Sequence, residues 1–159
     1  MKKTMLIVVA LILLLGLLSG EEIDYRNLEW DALMELGIGG DAEAQLLIGV
    51  SYYIDSDYAE ALKWYRKAAD QGVAEAQYMV GHMYDIGEGV TQDYKEAVKW
   101  YHMAADQGNA DAQFNIGIMY DFDEGFTEDY KEALKWYRLA ADQGNAEAIY
   151  KIGLTYHYG

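Results

Sequence analysis

The 159-residue chain contains no cysteine and no proline. Without cysteine there is no disulfide, no thiolate zinc site, no cysteine nucleophile and no lipid-modified cysteine. Basic residues are scarce, with 12 Lys and Arg against 27 Asp and Glu, for a formal charge of −15. A chain with no basic face is a poor partner for nucleic acid or for an anionic membrane surface. Serine is limited to Ser19, Ser51 and Ser56, and none begins the S-x-x-K of serine β-lactamases. His82, His102 and His157 form no H-E-x-x-H and no close pair. The segment G-E-G-V lacks a P-loop lysine. Acids gather at Asp121, Asp123, Glu124, Glu128 and Asp129, but not at EF-hand spacing, so this stretch reads as a solvated acidic loop. The reading therefore expects no catalytic residue, no metal site and no cofactor.

What is present is apolar and aromatic: 52% hydrophobic and 14% aromatic, enough for a core in one compact domain. Part of that fraction is a single run from Met5 to Leu18, preceded by Lys2 and Lys3 and followed by Ser19 and Gly20. Basic, apolar, small is the order of a secretory signal peptide, and the run is short for a membrane span. Residues 1–20 are read as a signal peptide or an uncleaved anchor, so the rest of the chain is expected to be exported. A membrane would be touched only through that segment.

The remainder repeats. Residues 74–109 and 110–145 match at 24 of 36 positions without a gap. A shorter copy spans 42–73, its deletion falling between Tyr52 and Tyr58. A partial copy begins at Ala146, and residues 24–37 read as a degenerate preceding helix. Each unit reads as two helices. Ala76, Val80 and Tyr84 form one stripe, and Tyr94, Ala97, Val98, Tyr101, Ala104 and Ala105 another. Gly87 and Gly89 break the first helix from the second. Gly108 suits a helix end and Asn109 the next N-cap. Asp57, Asp93 and Asp129 precede Glu60, Glu96 and Glu132 by three, which is capping-box spacing. Gly49, Gly81, Gly117 and Gly153 are expected to let helices approach closely. Trp64, Trp100 and Trp136 recur as packing between units.

The runs A-E-A-Q, V-G-H-M-Y, G-E-G-V, D-Y-K-E-A, K-W-Y and A-A-D-Q-G resemble the Sel-1-like repeat family of the tetratricopeptide-like superfamily. The resemblance covers residues 42–159. The 36-residue period and the lack of proline depart from ordinary tetratricopeptide units. It implies an all-α, right-handed solenoid of stacked antiparallel helix pairs acting as an adaptor or scaffold, commonly in envelope complexes. Cysteine-rich members have been linked to penicillin binding or β-lactam hydrolysis. That gives a cell-wall enzyme as an alternative, and a self-assembling module is a second one.

By analogy with the tetratricopeptide arrangement, the first helix of each pair lines a concave surface. The inward positions are then Glu43, Leu46, Val50, Tyr53 and Ile54; Glu75, Tyr78, His82, Asp85 and Ile86; Asp111, Phe114, Ile118, Asp121 and Phe122; and Glu147, Tyr150, Leu154, His157 and Tyr158. The second and third units differ at four of these five positions. Such a surface would hold a protein or peptide with apolar anchors and some Lys or Arg. Residues 146–159 offer a second surface for self-association, with Ile152 and Tyr156 placed where a following helix would pack. If the tryptophans are the packing between units, Trp100→Ala lowers stability by about 3–5 kcal/mol in urea unfolding; an unchanged midpoint would contradict that assignment.

Overall fold

The computed structural model describes residues 29–121 and 129–158. Among the described residues there are eight α-helices and no strand. They are α1 Trp30–Ile38, α2 Ala42–Ile54, α3 Tyr58–Asp70, α4 Ala74–Ile86, α5 Tyr94–Asp106, α6 Ala110–Asp121, α7 Tyr130–Asp142 and α8 Ala146–Tyr158. The pairs α2–α3, α4–α5 and α6–α7 pack most closely, and each pair stacks on the next through α3–α4, α5–α6 and α7–α8. The result is the all-α solenoid of stacked helix pairs that the repeats imply. No described helix is long and apolar enough to cross a membrane.

Local chemistry sets the helix boundaries. Asp93 Oδ1 accepts from the amides of Lys95 and Glu96 at 3.0 and 3.1 Å, and Asp129 does the same for Lys131 and Glu132. Asp57 accepts from the Glu60 amide at 3.3 Å. The reciprocal half of the capping box is replaced. The amides of Asp57, Asp93 and Asp129, which a box glutamate would bind, already donate to the carbonyls of Tyr52, Tyr84 and Tyr120 at 2.9–3.0 Å. Glu96 and Glu132 turn instead to Lys99 and Lys135 at 2.6 and 2.5 Å, and Glu60 turns to Lys63. The same amide-to-carbonyl closure spans loops of different length. In the second unit Gly87 and Gly89, at φ +77° and +70°, make the turn; in the shorter first unit Ser56 does so at φ +62°. Between units Gly108 and Gly144 sit at φ +90° and +89°. Asn109 and Asn145 then accept from the amides of Ala112 and Ala148 at 2.8 and 2.9 Å.

The core is built on one recurring contact. A Cβ at Gly49, Gly81 or Gly117 would lie 2.6–2.7 Å from Cδ1 of Tyr65, Tyr101 or Tyr137, so the absence of a side chain lets each tyrosine ring lie on the first helix of its own unit. Those three tyrosines are almost fully buried. The tryptophans then join units, as expected. Trp64 packs with Leu33, Leu36, Ala44 and Ile48, and Trp100 with the core of the first unit. Trp136, half-buried, packs against the cluster that holds Tyr101. Helix α1 stands where a second helix stands elsewhere, because Gln45 Nε2 donates to Gly37 O as Gln77 does to Ala69 O and Gln113 to Ala105 O. At the other end, Gly153 has nothing within 4 Å of its Cβ position. Ile152 packs partly against Ala133, Tyr137, Ala140 and Ala148 and stays half-buried, whereas its counterparts Ile48, Val80 and Ile116 are fully buried. The Tyr156 side chain lies outside the described residues.

These environments separate two chemically identical substitutions. Gly117→Ala is expected to destabilise the protein by about 1–3 kcal/mol through overpacking. Gly153→Ala, in an open helical position, is expected to stabilise it by about 0.5–1 kcal/mol. Thermal or urea unfolding of the two variants checks the pair.

Candidate functional site

The residues read from the sequence as partner-facing lie on the first helices α2, α4, α6 and α8, and interactions between successive first helices join them. Lys151 Nζ on α8 meets Asp121 Oδ2 on α6 at 3.1 Å. An open cavity of about 340 Å³ lies between these two helices, lined by Phe114, Ala146, Glu147, Tyr150 and Lys151. Tyr78 on α4 has a pKa raised first by burial and then by the charge of Asp111 on α6. The pKa of Tyr53 on α2 is pushed up to about 12, first by the neighbouring carboxylate of Glu88, beyond the end of α4, and then by burial.

Exposure along this face is uneven. Tyr150 is 67% exposed and Ile86 46% exposed, whereas Tyr53, Tyr78, Phe114 and Ile118 are half-buried. The ring of Tyr78 lies 5.8 Å from that of Tyr101, and the ring of Phe114 lies 5.6 Å from that of Tyr137. Each therefore packs on the core tyrosine of its own unit while keeping part of its surface in solvent. Leu46, at the repeat position of Tyr78, Phe114 and Tyr150, is buried within the core. Its ring-free side chain is covered by neighbours from the first and second units. Glu75 and Asp111 are exposed, and each accepts from the asparagine that caps the next unit: Asn109 at 3.2 Å and Asn145 at 2.9 Å. Phe122 lies outside the described residues, as do Asp123, Glu124 and Glu128 of the acidic loop and the side chains of His157 and Tyr158. Among the described residues no three His, Asp or Glu come together as a metal site.

Two aspartates tie the face to the core. Tyr101 Oη donates to Asp85 Oδ2 at 3.1 Å, and Tyr137 Oη donates to Asp121 Oδ2 at 3.0 Å. This is the one inward position of the five that is identical in the second and third units, and in both it accepts from the core tyrosine. The Asp85 carboxyl is raised above its ordinary range by burial, with the Tyr101 hydrogen bond opposing. Burial likewise raises Tyr101 and Tyr137, followed by the charges of Asp85 and Asp121. His82 stacks on Tyr78, with ring centroids 6.1 Å apart and planes 11° from parallel, and its buried Nδ1 has no hydrogen-bond partner.

Sequence reasoning missed a ladder of glutamines. Gln45, Gln77 and Gln113 are buried, and their Oε1 atoms accept from Gln71, Gln107 and Gln143 at 2.7–2.8 Å. The signal was the unchanging Gln of A-x-A-Q and of D-Q-G. It also missed Asn115 and Lys151, which occupy one repeat position with different residues. His102, read as a surface residue, is half-buried because the next unit's Trp136 meets its ring edge at 5.3 Å.

The Sel1 repeat family model matches residues 31–73, 74–109, 110–145 and 146–159. The chain belongs to the Sel1 repeat family. Solved relatives agree. A protective antigen of uropathogenic Escherichia coli that displays an SLR fold is 37% identical, with a TM-score of 0.76 over 79% of this chain and 28% of that one. A Sel1 repeat protein from Oxalobacter formigenes is 36% identical, with a TM-score of 0.73 over 79% of this chain and 54% of that one. Cysteine-rich protein B of Helicobacter pylori shares the fold at 21% identity and a TM-score of 0.54, over 57% of this chain and 68% of that one. This chain thus spans about a quarter and about half of the first two relatives. No curated protein matches it. Sel1 repeat proteins are generally non-catalytic scaffolds for protein–protein interaction.

The ion pair at the third junction makes its aspartate unlike the one at the second. Asp121→Asn removes the charge that holds a mostly covered Lys151 and is expected to cost about 1–3 kcal/mol at pH 7. Asp85→Asn keeps an acceptor for Tyr101 and removes a desolvated charge, so it is expected to leave stability unchanged or slightly higher. The raised pKa of Asp85 favours the fold below the ordinary carboxylate range, and this contribution is lost as pH rises. The Asp85→Asn advantage should accordingly shrink on acidification. Urea unfolding at pH 7 and pH 4 checks both variants.

Proposed function

We propose that this protein is an exported interaction module that holds a stretch of partner polypeptide along the face of its first helices. The partner would be a protein or peptide carrying apolar anchors and basic side chains. One observation carries the reading: partly exposed aromatic side chains at Tyr53, Tyr78, Phe114 and Tyr150 lie on successive first helices, among the acids Glu75, Asp85, Asp111, Asp121 and Glu147. Aromatic anchors in partly dry settings with an acidic surround suit a basic, amphipathic segment. Export rests on the basic-apolar-small order of residues 1–20, with a periplasmic or extracellular location, or attachment through that segment. Self-association through α8 is a second reading, favoured by the open surface at Gly153; light scattering over a range of concentrations tests it, and a monomer throughout would remove it.

Tyr150 is the cleanest probe of the face, since its ring is largely in solvent and contributes little to the core. Peptides selected from a displayed random library on the 159-residue protein are expected to bind Tyr150→Ala at least tenfold more weakly, with an unchanged melting temperature. Equal binding would move the partner surface elsewhere.

A further inference from the structure

The three junctions between successive first helices carry different pairs at one repeat position. Tyr53 with Met79 stands at the first, Asp85 with Asn115 at the second and Asp121 with Lys151 at the third. At the third junction the Lys151 ammonium sits 3.1 Å from Asp121 and 5.9 Å from the centre of the Tyr137 ring, with both side chains mostly covered. At the second junction the same frame is present without the lysine. Tyr101 donates to Asp85, and Asn115, standing in the place of Lys151, donates to the Tyr101 hydroxyl at 3.1 Å. No ammonium or guanidinium among the described residues pairs with Asp85. One turn earlier on α4 the buried His82 Nδ1 has no hydrogen-bond partner.

We infer that Asp85, flanked by Tyr78, forms a subsite for the ammonium of a partner lysine, for which Lys151 on Asp121 is the chain's own template. The carboxylate supplies charge and the half-buried ring of Tyr78 covers the aliphatic stem, while the fully buried Tyr101 holds the carboxylate in place from behind. Asn115 is two bonds too short to fill the place itself. The inference rests on the first-helix face being the binding face, and it names the residue type read at its centre.

The test uses Nα-acetyl-lysine methylamide and its norleucine counterpart, titrated into the 159-residue protein and followed by the NMR shifts of residues 78, 82, 85, 101 and 115. The lysine compound is expected to saturate these shifts in the millimolar range, with the norleucine compound at least tenfold weaker. Asp85→Asn should abolish the difference. Asn115→Lys, which places a lysine in the chain at the Lys151 position, should abolish it too while raising the melting temperature, so that loss of binding is not loss of fold. Equal response to both compounds, or full lysine binding by Asn115→Lys, would overturn the inference. Library peptides that depend on Tyr150 but are not enriched in lysine would also overturn it and leave the binding face standing. Lysine-compound binding with no peptide held would support the subsite and remove the wider reading.

Discussion

The fold depends on a tyrosine ring pressed against a glycine. In each complete unit the first helix gives up a side chain at Gly49, Gly81 or Gly117, and Tyr65, Tyr101 or Tyr137 of the second helix occupies the space. The contact sets the distance between the two helices. It buries a large aromatic surface, and it directs the phenol toward the face of the first helices. In the second and third units the hydroxyl then needs a partner, and an aspartate supplies it. One packing constraint thereby places an acid on the face where a partner would lie. The solenoid carries this arrangement forward unit by unit, with tryptophans and a glutamine ladder joining neighbours.

The acidic character of the chain divides accordingly. Asp57, Asp93 and Asp129 cap helices, and Glu60, Glu96 and Glu132 pair with lysines one turn later. These charges belong to the scaffold. Those at Asp85, Glu75 and Asp111 face the first-helix side, where a hydrogen bond to tyrosine or asparagine leaves acceptor capacity for another donor. An acidic solenoid thus has a structural reason for much of its charge and a specific place where charge remains available.

Much of this was legible in the sequence, because a repeat compares itself. The period fixed the helix pairs, the glycines marked close approach, and the capping aspartates and Asn109 stood at their starts. The glutamine ladder escaped because Gln at a buried position has meaning only once its carbonyl and amide partners, some 30 residues away, are in place. The capping box was half right for the same reason, since the amide it needed was committed to a tyrosine carbonyl across a loop. The face itself came from analogy, and exposure along it was not legible: Leu46 is buried where Tyr150, at the same repeat position, is exposed, a difference that packing against neighbouring helices decides. The contrast of Asn115 with Lys151 was visible as letters but gained meaning only from the carboxylates opposite.

The most direct test of the central constraint is a double-mutant cycle on Gly81 and Tyr101, read by urea unfolding of wild type, Gly81→Ala, Tyr101→Leu and the double variant. With the ring present the added methyl should be destabilising. With the ring gone it should become neutral or stabilising, because alanine is the better helix former, giving a coupling of about 2 kcal/mol. Additive effects, within about 0.5 kcal/mol, would mean that the glycine is not there for the tyrosine and would contradict the account.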